Sequence, residues 1–111
     1  MSLENVDVVD AVGMESSTNT IVLTILDSWD WQDQMSHLKS LQAKLNAYFG
    51  FIESGQIYEA YPDARGKALR IDILGRFPVP DATKEFFDIA NATAAQLNLV
   101  IRNTTVQPPS K

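Results

Sequence analysis

The chain has one histidine, His37, and Asp33 precedes it by one helical turn. An imidazole with a carboxylate to orient it is two-thirds of a nucleophilic triad. The third part is missing. Ser36, Ser40 and Ser54 occupy no strand-to-helix elbow, and there is no cysteine. His37 therefore reads first as a flank histidine beside an apolar stripe, dispensable for the fold and for any activity. A pocket reading stands beside it, in which Trp31, Asp33, His37 and Tyr48 line a space between a long helix and a sheet. No catalytic residue is assigned. A single histidine without cysteine rules out a His-rich or thiolate metal centre within one chain. Asp27, Asp30 and Asp33 offer the hard oxygens that calcium takes, but lack the central glycine and terminal glutamate of a calcium loop. Acidic residues at a helix start have a sufficient reason in the positive end of the helix dipole. The glycines are too scattered to cradle a phosphate. No metal and no cofactor is expected.

Two further groups of residues suit contact rather than chemistry. Seven of the ten aromatic residues lie between positions 29 and 61. Most sit on the helical stripe, but Phe51 does not, and Tyr58 and Tyr61 follow it closely. An amphipathic aromatic cluster at a helix end fits a protein–protein surface. It predicts a homodimer with Phe51, Tyr58 and Tyr61 at or near a two-fold interface. The competing reading is a local cluster under the 61–67 loop. The second group is a strand face carrying Arg70, Asp72, Leu74 and Arg76, with Arg102 beside it if the last strand is a neighbour. RNA-binding sheets need stacked aromatics in a basic field, and this face has neither, so it reads first as a solvated face with cross-strand ion pairs and second as a partner-docking surface.

The elements that must position these groups follow from periodicity. Trp31, Met35, Leu38, Leu41, Leu45, Tyr48, Phe49 and Ile52 recur at three- and four-residue steps, which predicts a helix over 31–54. Asp30 is the expected N-cap, and Gly55 the left-handed stop. Residues 6–14 and 20–27 read as strands joined at the 16–19 turn, in an antiparallel hairpin. Residues 57–61 alternate as a short strand, and 62–66 as a turn. Over 68–77, Leu69, Ile71, Ile73 and Phe77 point one way and polar residues the other. That alternation reads as an antiparallel sheet covered on one side. Pro78 and Pro80 stop the strand, and a second helix over 81–96 has Ala82, Phe86, Ile89, Ala90, Thr93 and Leu97 as its stripe. A last strand, 99–104, returns Leu99 and Ile101 to the core, and a polar tail follows. The expected fold is a single α+β domain over 1–111. It is a two-layer sandwich: a mostly antiparallel, four- to five-stranded sheet with two helices on one face.

With 111 residues the chain can build one core, and its 45% apolar and 21% charged residues are those of a globular protein. A net charge of −5 argues against nucleic acid or an anionic membrane as partner. No run approaches the roughly 20 apolar residues of a membrane span, and the first ten residues lack the pattern of a signal peptide. The expected location is the cytoplasm.

The segment LNAYFGFIESGQ, with VDVVDAVG before it and YPDARGK after it, is similar to small uncharacterised bacterial proteins grouped as a domain of unknown function. The likeness spans residues 5–77 and implies a bacterial origin. It carries over no activity, cofactor or catalytic residue. Two functional readings are therefore in play. One is a non-catalytic, self-associating interaction module. The other is a small-ligand binder or enzyme with its pocket between helix 31–54 and the sheet. A cavity lined by His37, Asp33 and Tyr48 favours the second; a filled core there favours the first. A weaker third reading, an acidic inhibitor of a basic partner, needs clustered carboxylates that the sequence does not provide.

Overall fold

The structure, a computed structural model, describes residues 9–105. Residues 6–8 of the expected first strand and the 106–111 tail lie outside them. The order is β1 (Ala11–Glu15), β2 (Thr20–Asp27), α1 (Gln34–Glu53), α2 (Gln56–Ala60), β3 (Ala68–Gly75), α3 (Lys84–Gln96) and β4 (Leu99–Thr105). Single 3₁₀ turns precede β3 at Pro62–Ala64 and α3 at Asp81–Thr83.

The fold is α+β, with one four-stranded sheet in the order β1-β2-β3-β4. The expected hairpin is present: β1 runs antiparallel to β2, with Val12 opposite Leu23. The rest of the sheet corrects the expectation. β2 and β3 are parallel, as are β3 and β4, so the sheet is mixed rather than mostly antiparallel. The false strand at 57–61 caused the error. A strand there would turn back into β3 through the 62–66 loop as a hairpin. The segment is instead the short helix α2, which buries Ile57 alone. Five residues are too few to tell a period of 2 from one of 3.6. With that strand removed, β2-α1-β3-α3-β4 is a run of two βαβ units, which demands parallel strands.

Among the described residues, the buried apolar side chains of β2, β3 and β4 lie on one face of the sheet. Right-handed crossovers that step the same way across a sheet put their helices on the same face. Ile21, Leu23 and Ile25 on β2, Leu69, Ile71 and Ile73 on β3, and Leu99 and Ile101 on β4 are all buried. They form one core with Leu41, Leu45, Tyr48 and Ile52 of α1 and Ala94 of α3. The opposite residues, Val22, Leu26, Arg70, Asp72, Leu74, Val100 and Arg102, are half-buried or exposed.

α1 starts later than expected. Its N-cap is Asp33, not Asp30, and the Asp33 carboxylate accepts the Ser36 N–H at 3.2 Å. At the other end, Gly55 adopts φ 84°, the left-handed conformation expected of it. The buried face of α1 is His37, Leu41, Lys44, Leu45, Tyr48 and Ile52. Met35, placed on the stripe by its apolar character, is 66% exposed. Ile89, given to the α3 stripe, is likewise exposed.

Candidate functional site

The carboxyl end of β2 and the first turn of α1 converge on His37. β2 delivers Asp27 at its last position, and the loop that follows carries Trp29, Asp30 and Trp31 back over the helix start. Asp27, not Asp33, is the carboxylate partner: His37 Nε2 lies 2.6 Å from Asp27 Oδ2. Nδ1 lies 2.8 Å from the Asp30 carbonyl, which only accepts, so Nδ1 donates. Trp31 stacks on the imidazole with ring centres 3.6 Å apart, and Trp29 packs tilted at 5.7 Å. The second Asp27 oxygen accepts the Trp29 N–H, and its backbone carbonyl accepts the Arg76 N–H. His37 is 1% exposed. The expected flank histidine is instead a buried one with both ring nitrogens hydrogen-bonded.

Of the pocket residues named from sequence, the structure brings Trp31 and His37 together. Asp33 is adjacent in the chain but turned to its capping role, and the Ser36 N–H and hydroxyl hold its carboxyl below the ordinary value. Tyr48 lies eleven residues along α1 from His37, about 16 Å at the helical rise. Its hydroxyl donates to the Thr24 carbonyl at 2.7 Å and accepts the Asp10 N–H at 2.9 Å. Burial pushes the Tyr48 phenol up to about 12.

Tyr48 belongs to a second buried polar cluster that the sequence reading missed. Lys44 is fully buried, and its ammonium donates to Asp10 Oδ1 at 2.9 Å. Asp10 Oδ2 accepts the Leu26 N–H at 3.0 Å, next to the end of the β1–β2 ladder. The signal was present. His37, Leu41, Lys44, Leu45, Tyr48 and Ile52 follow one another at steps of one, three and four residues, so two polar residues ride the buried face. A stripe drawn through apolar residues alone misses them and takes in Met35 instead.

Asp27, Asp30 and Asp33 do not converge. Asp27 meets His37, Asp30 accepts the Gln32 N–H, and Asp33 caps α1. Among the described residues no three His, Cys, Asp or Glu side chains group as metal ligands. At the aromatic corner, Phe51 and Tyr58 are half-buried against the core, and Arg65 lies 5.3 Å from the Tyr58 ring centre. Tyr61 is the exposed member. On the uncovered sheet face, Arg70 bridges Glu15 at 3.1 Å and Asp72 at 2.7 Å. Hydrogen bonds from Arg70 and then Thr18 pull the Glu15 carboxyl down to about 2.

Surface hollows lie beside these groups. One of about 250 Å³ separates α1 from α3, lined by Leu45, Phe49, Phe86, Ile89 and polar but non-titrating neighbours. Another, of about 460 Å³, is bounded by Ser28, Trp29, Asp30, Asp33 and Ser36. Neither is lined by His37 or Tyr48.

Residues 1–107 match a family of unknown function, DUF6572. The chain belongs to that family. The match runs beyond the 5–77 span of the resemblance and takes in α3 and β4. No curated protein and no solved structure matches the chain. No helix among the described residues is long and apolar enough to cross a membrane.

Proposed function

We propose that the protein is a non-catalytic protein–protein interaction module of a bacterial cytoplasm, and that it associates with a second copy of itself. The carrying observation is the closure of His37. A general base must reach the proton it abstracts. Here Nδ1 is held by the Asp30 carbonyl and Nε2 by Asp27, so neither ring nitrogen faces a substrate. The interior between α1 and the sheet supports the same reading, because His37, Lys44 and Tyr48 fill it.

Topology adds a second support. Open α/β sheets bind ligands where strand order reverses and successive crossovers part to leave a crevice. β2, β3 and β4 run in sequence order, so no such reversal occurs among them. The alternative, a small-ligand binder or enzyme, is left with the α1–α3 groove, whose lining has no titratable side chain, and the open hollow at 28–36, whose Asp30 and Asp33 carboxylates already accept the Gln32 and Ser36 N–H groups.

Sedimentation velocity over a wide concentration range tests the reading, and a concentration-dependent dimer is the expected outcome. A monomer at every concentration overturns self-association. An activity abolished in a folded His37→Gln protein overturns the non-catalytic part.

A further inference from the structure

Among the described residues, nothing covers the second face of the sheet. Gly13, Val22, Arg70 and Val100 are directly paired across the four strands and form one rung. At the β1 end of that rung the backbone is bare: a Cβ added to Gly13 meets nothing within 4 Å. Together with Ala11 it leaves a trough of about 420 Å³ beside Val22 and Thr24. At the β4 end, Val100 stands 55% exposed. A two-fold axis along the strands, between β2 and β3, exchanges β1 with β4. It therefore lays Val100 of each copy over Gly13 of the other.

Charge agrees with shape. Among the strand residues of this face Glu15, Asp72, Arg70 and Arg102 cancel, and Arg76 just beyond β3 adds no negative charge. Copies repel one another on their other surfaces and not here. Edge-to-edge pairing through β4 is hindered, because Asn91 of α3 reaches round to accept the Ile101 N–H at 3.1 Å. The aromatic corner offers less, since Phe51 and Tyr58 already pack on the core.

We propose that two copies pack sheet face to sheet face about this axis, with Val100 seated in the trough at Gly13. The proposal rests on the self-association reading and assigns its surface. The face measures roughly 20 Å by 24 Å from standard strand spacings. A pair then buries about 1,000 Å² in total, the low end for a specific interface, so the dimer is weak and concentration-dependent.

Because the chain has no cysteine, single cysteines test the geometry cleanly. Gly13→Cys and Val100→Cys proteins, mixed and treated with a short bismaleimide that spans the roughly 10 Å between stacked sheets, are expected to give a covalent dimer far faster than either alone. Gly13→Val fills the trough while favouring the strand. It should raise the dimer Kd at least tenfold and leave the melting temperature equal or higher. Arg102→Glu shifts the charge of each face by −2 and should raise Kd similarly, more strongly at low salt. If the wild type dimerises but these variants leave Kd unchanged, or Tyr61→Glu alone dissociates it, the surface is wrong and self-association stands. If the wild type is monomeric throughout, self-association and its surface fail together.

Discussion

The same sheet carries hydrogen-bonded polar pairs on both faces, and the two sets are built differently. Beneath it, Lys44 with Asp10 and His37 with Asp27 are pairs whose side chains are at most 7% exposed. Each is completed by backbone groups: the Leu26 N–H for Asp10, the Trp29 N–H for Asp27, the Asp30 carbonyl for His37. Above it, one guanidinium serves two carboxylates, and Glu15 is 36% exposed. Water can replace any partner on the upper face. Nothing can on the lower, where every lone pair and proton needs a protein partner. The buried pairs also join helix to sheet: Asp10 and Lys44 fasten the entry to β1 onto the middle of α1, and Asp27 and His37 fasten the end of β2 onto its first turn. The upper network stays within the sheet, tying β3 to β1 over the intervening β2.

The largest effect expected from this contrast is at Asp10. Asp10→Ala takes the carboxylate from a fully buried ammonium and removes the acceptor of the Leu26 N–H. The expected loss is about 3–5 kcal/mol, a large part of the about 5–15 kcal/mol that holds a domain together. Urea unfolding measures it. A loss under about 1 kcal/mol, the exposed-pair range, removes the distinction between the faces.

Leu45→Ala calibrates the lower face without charge. Leu45 is mid-helix and 1% exposed, so about 2–5 kcal/mol is expected. A loss well under 1 kcal/mol in the same unfolding experiment shows that this part of the core repacks freely.

That calibration also marks how far the sequence could be read. Leu41, Leu45, Ile52, Ile71 and Ile101 are core from alternation and helical period alone, because burial of an apolar side chain is a local preference repeated at fixed spacing. Strand direction is not local. It depends on whether 57–61 is a strand or a helix, and one buried side chain, Ile57, decides that. The pairing of His37 was hidden for a related reason. A helical rule looks four residues back and finds Asp33, whereas Asp27 reaches His37 across a loop. The legible hint was a carboxylate closing the strand TILD, where an apolar run leaves no solvent to satisfy it. Lys44 was hidden by its own type, since a lysine on a buried face is placed only by its spacing from Leu41 and Tyr48.

Tyr48→Phe sharpens the contrast within the lower face. It leaves the packing and takes away only the hydroxyl between the Thr24 carbonyl and the Asp10 N–H, with about 1–3 kcal/mol expected. The phenol also fixes a pH window. Its folded value of about 12 lies above the ordinary 10. Its contribution is complete below pH 10 and falls as pH rises toward 12, as the unfolded chain ionises first. The difference in melting temperature between wild type and Tyr48→Phe should be flat from pH 8 to about 10 and narrow above it. A constant gap at high pH removes the phenol from that account.

The smallest effect belongs to Glu15 on the upper face, and its pH dependence runs the other way. Arg70 holds the Glu15 carboxyl down to about 2, from an ordinary value of 4.5. A depressed carboxyl contributes stability above its unfolded value and loses it as pH falls through the folded one. Other carboxylates, Asp33 among them, titrate in the same acid range, so the wild-type acid slope alone does not isolate Glu15. The difference between wild type and Glu15→Gln does, because the other groups cancel. That difference in melting temperature should be largest at neutral pH, yet smaller than for any of the buried changes, since Arg70 retains Asp72 and water replaces Glu15. It should begin to close below pH 4.5 and vanish near pH 2. Salt should shrink it at neutral pH, because the pair is open to solvent, while leaving the Asp10→Ala loss nearly unchanged. A Glu15 gap as large as that of Asp10→Ala, and equally deaf to salt, would mean that the upper face is buried in solution. In a monomer that outcome breaks the contrast. In a dimer it is what sheet-to-sheet packing produces, and the Gly13→Val protein, shifted toward monomer, should then restore the small salt-sensitive gap.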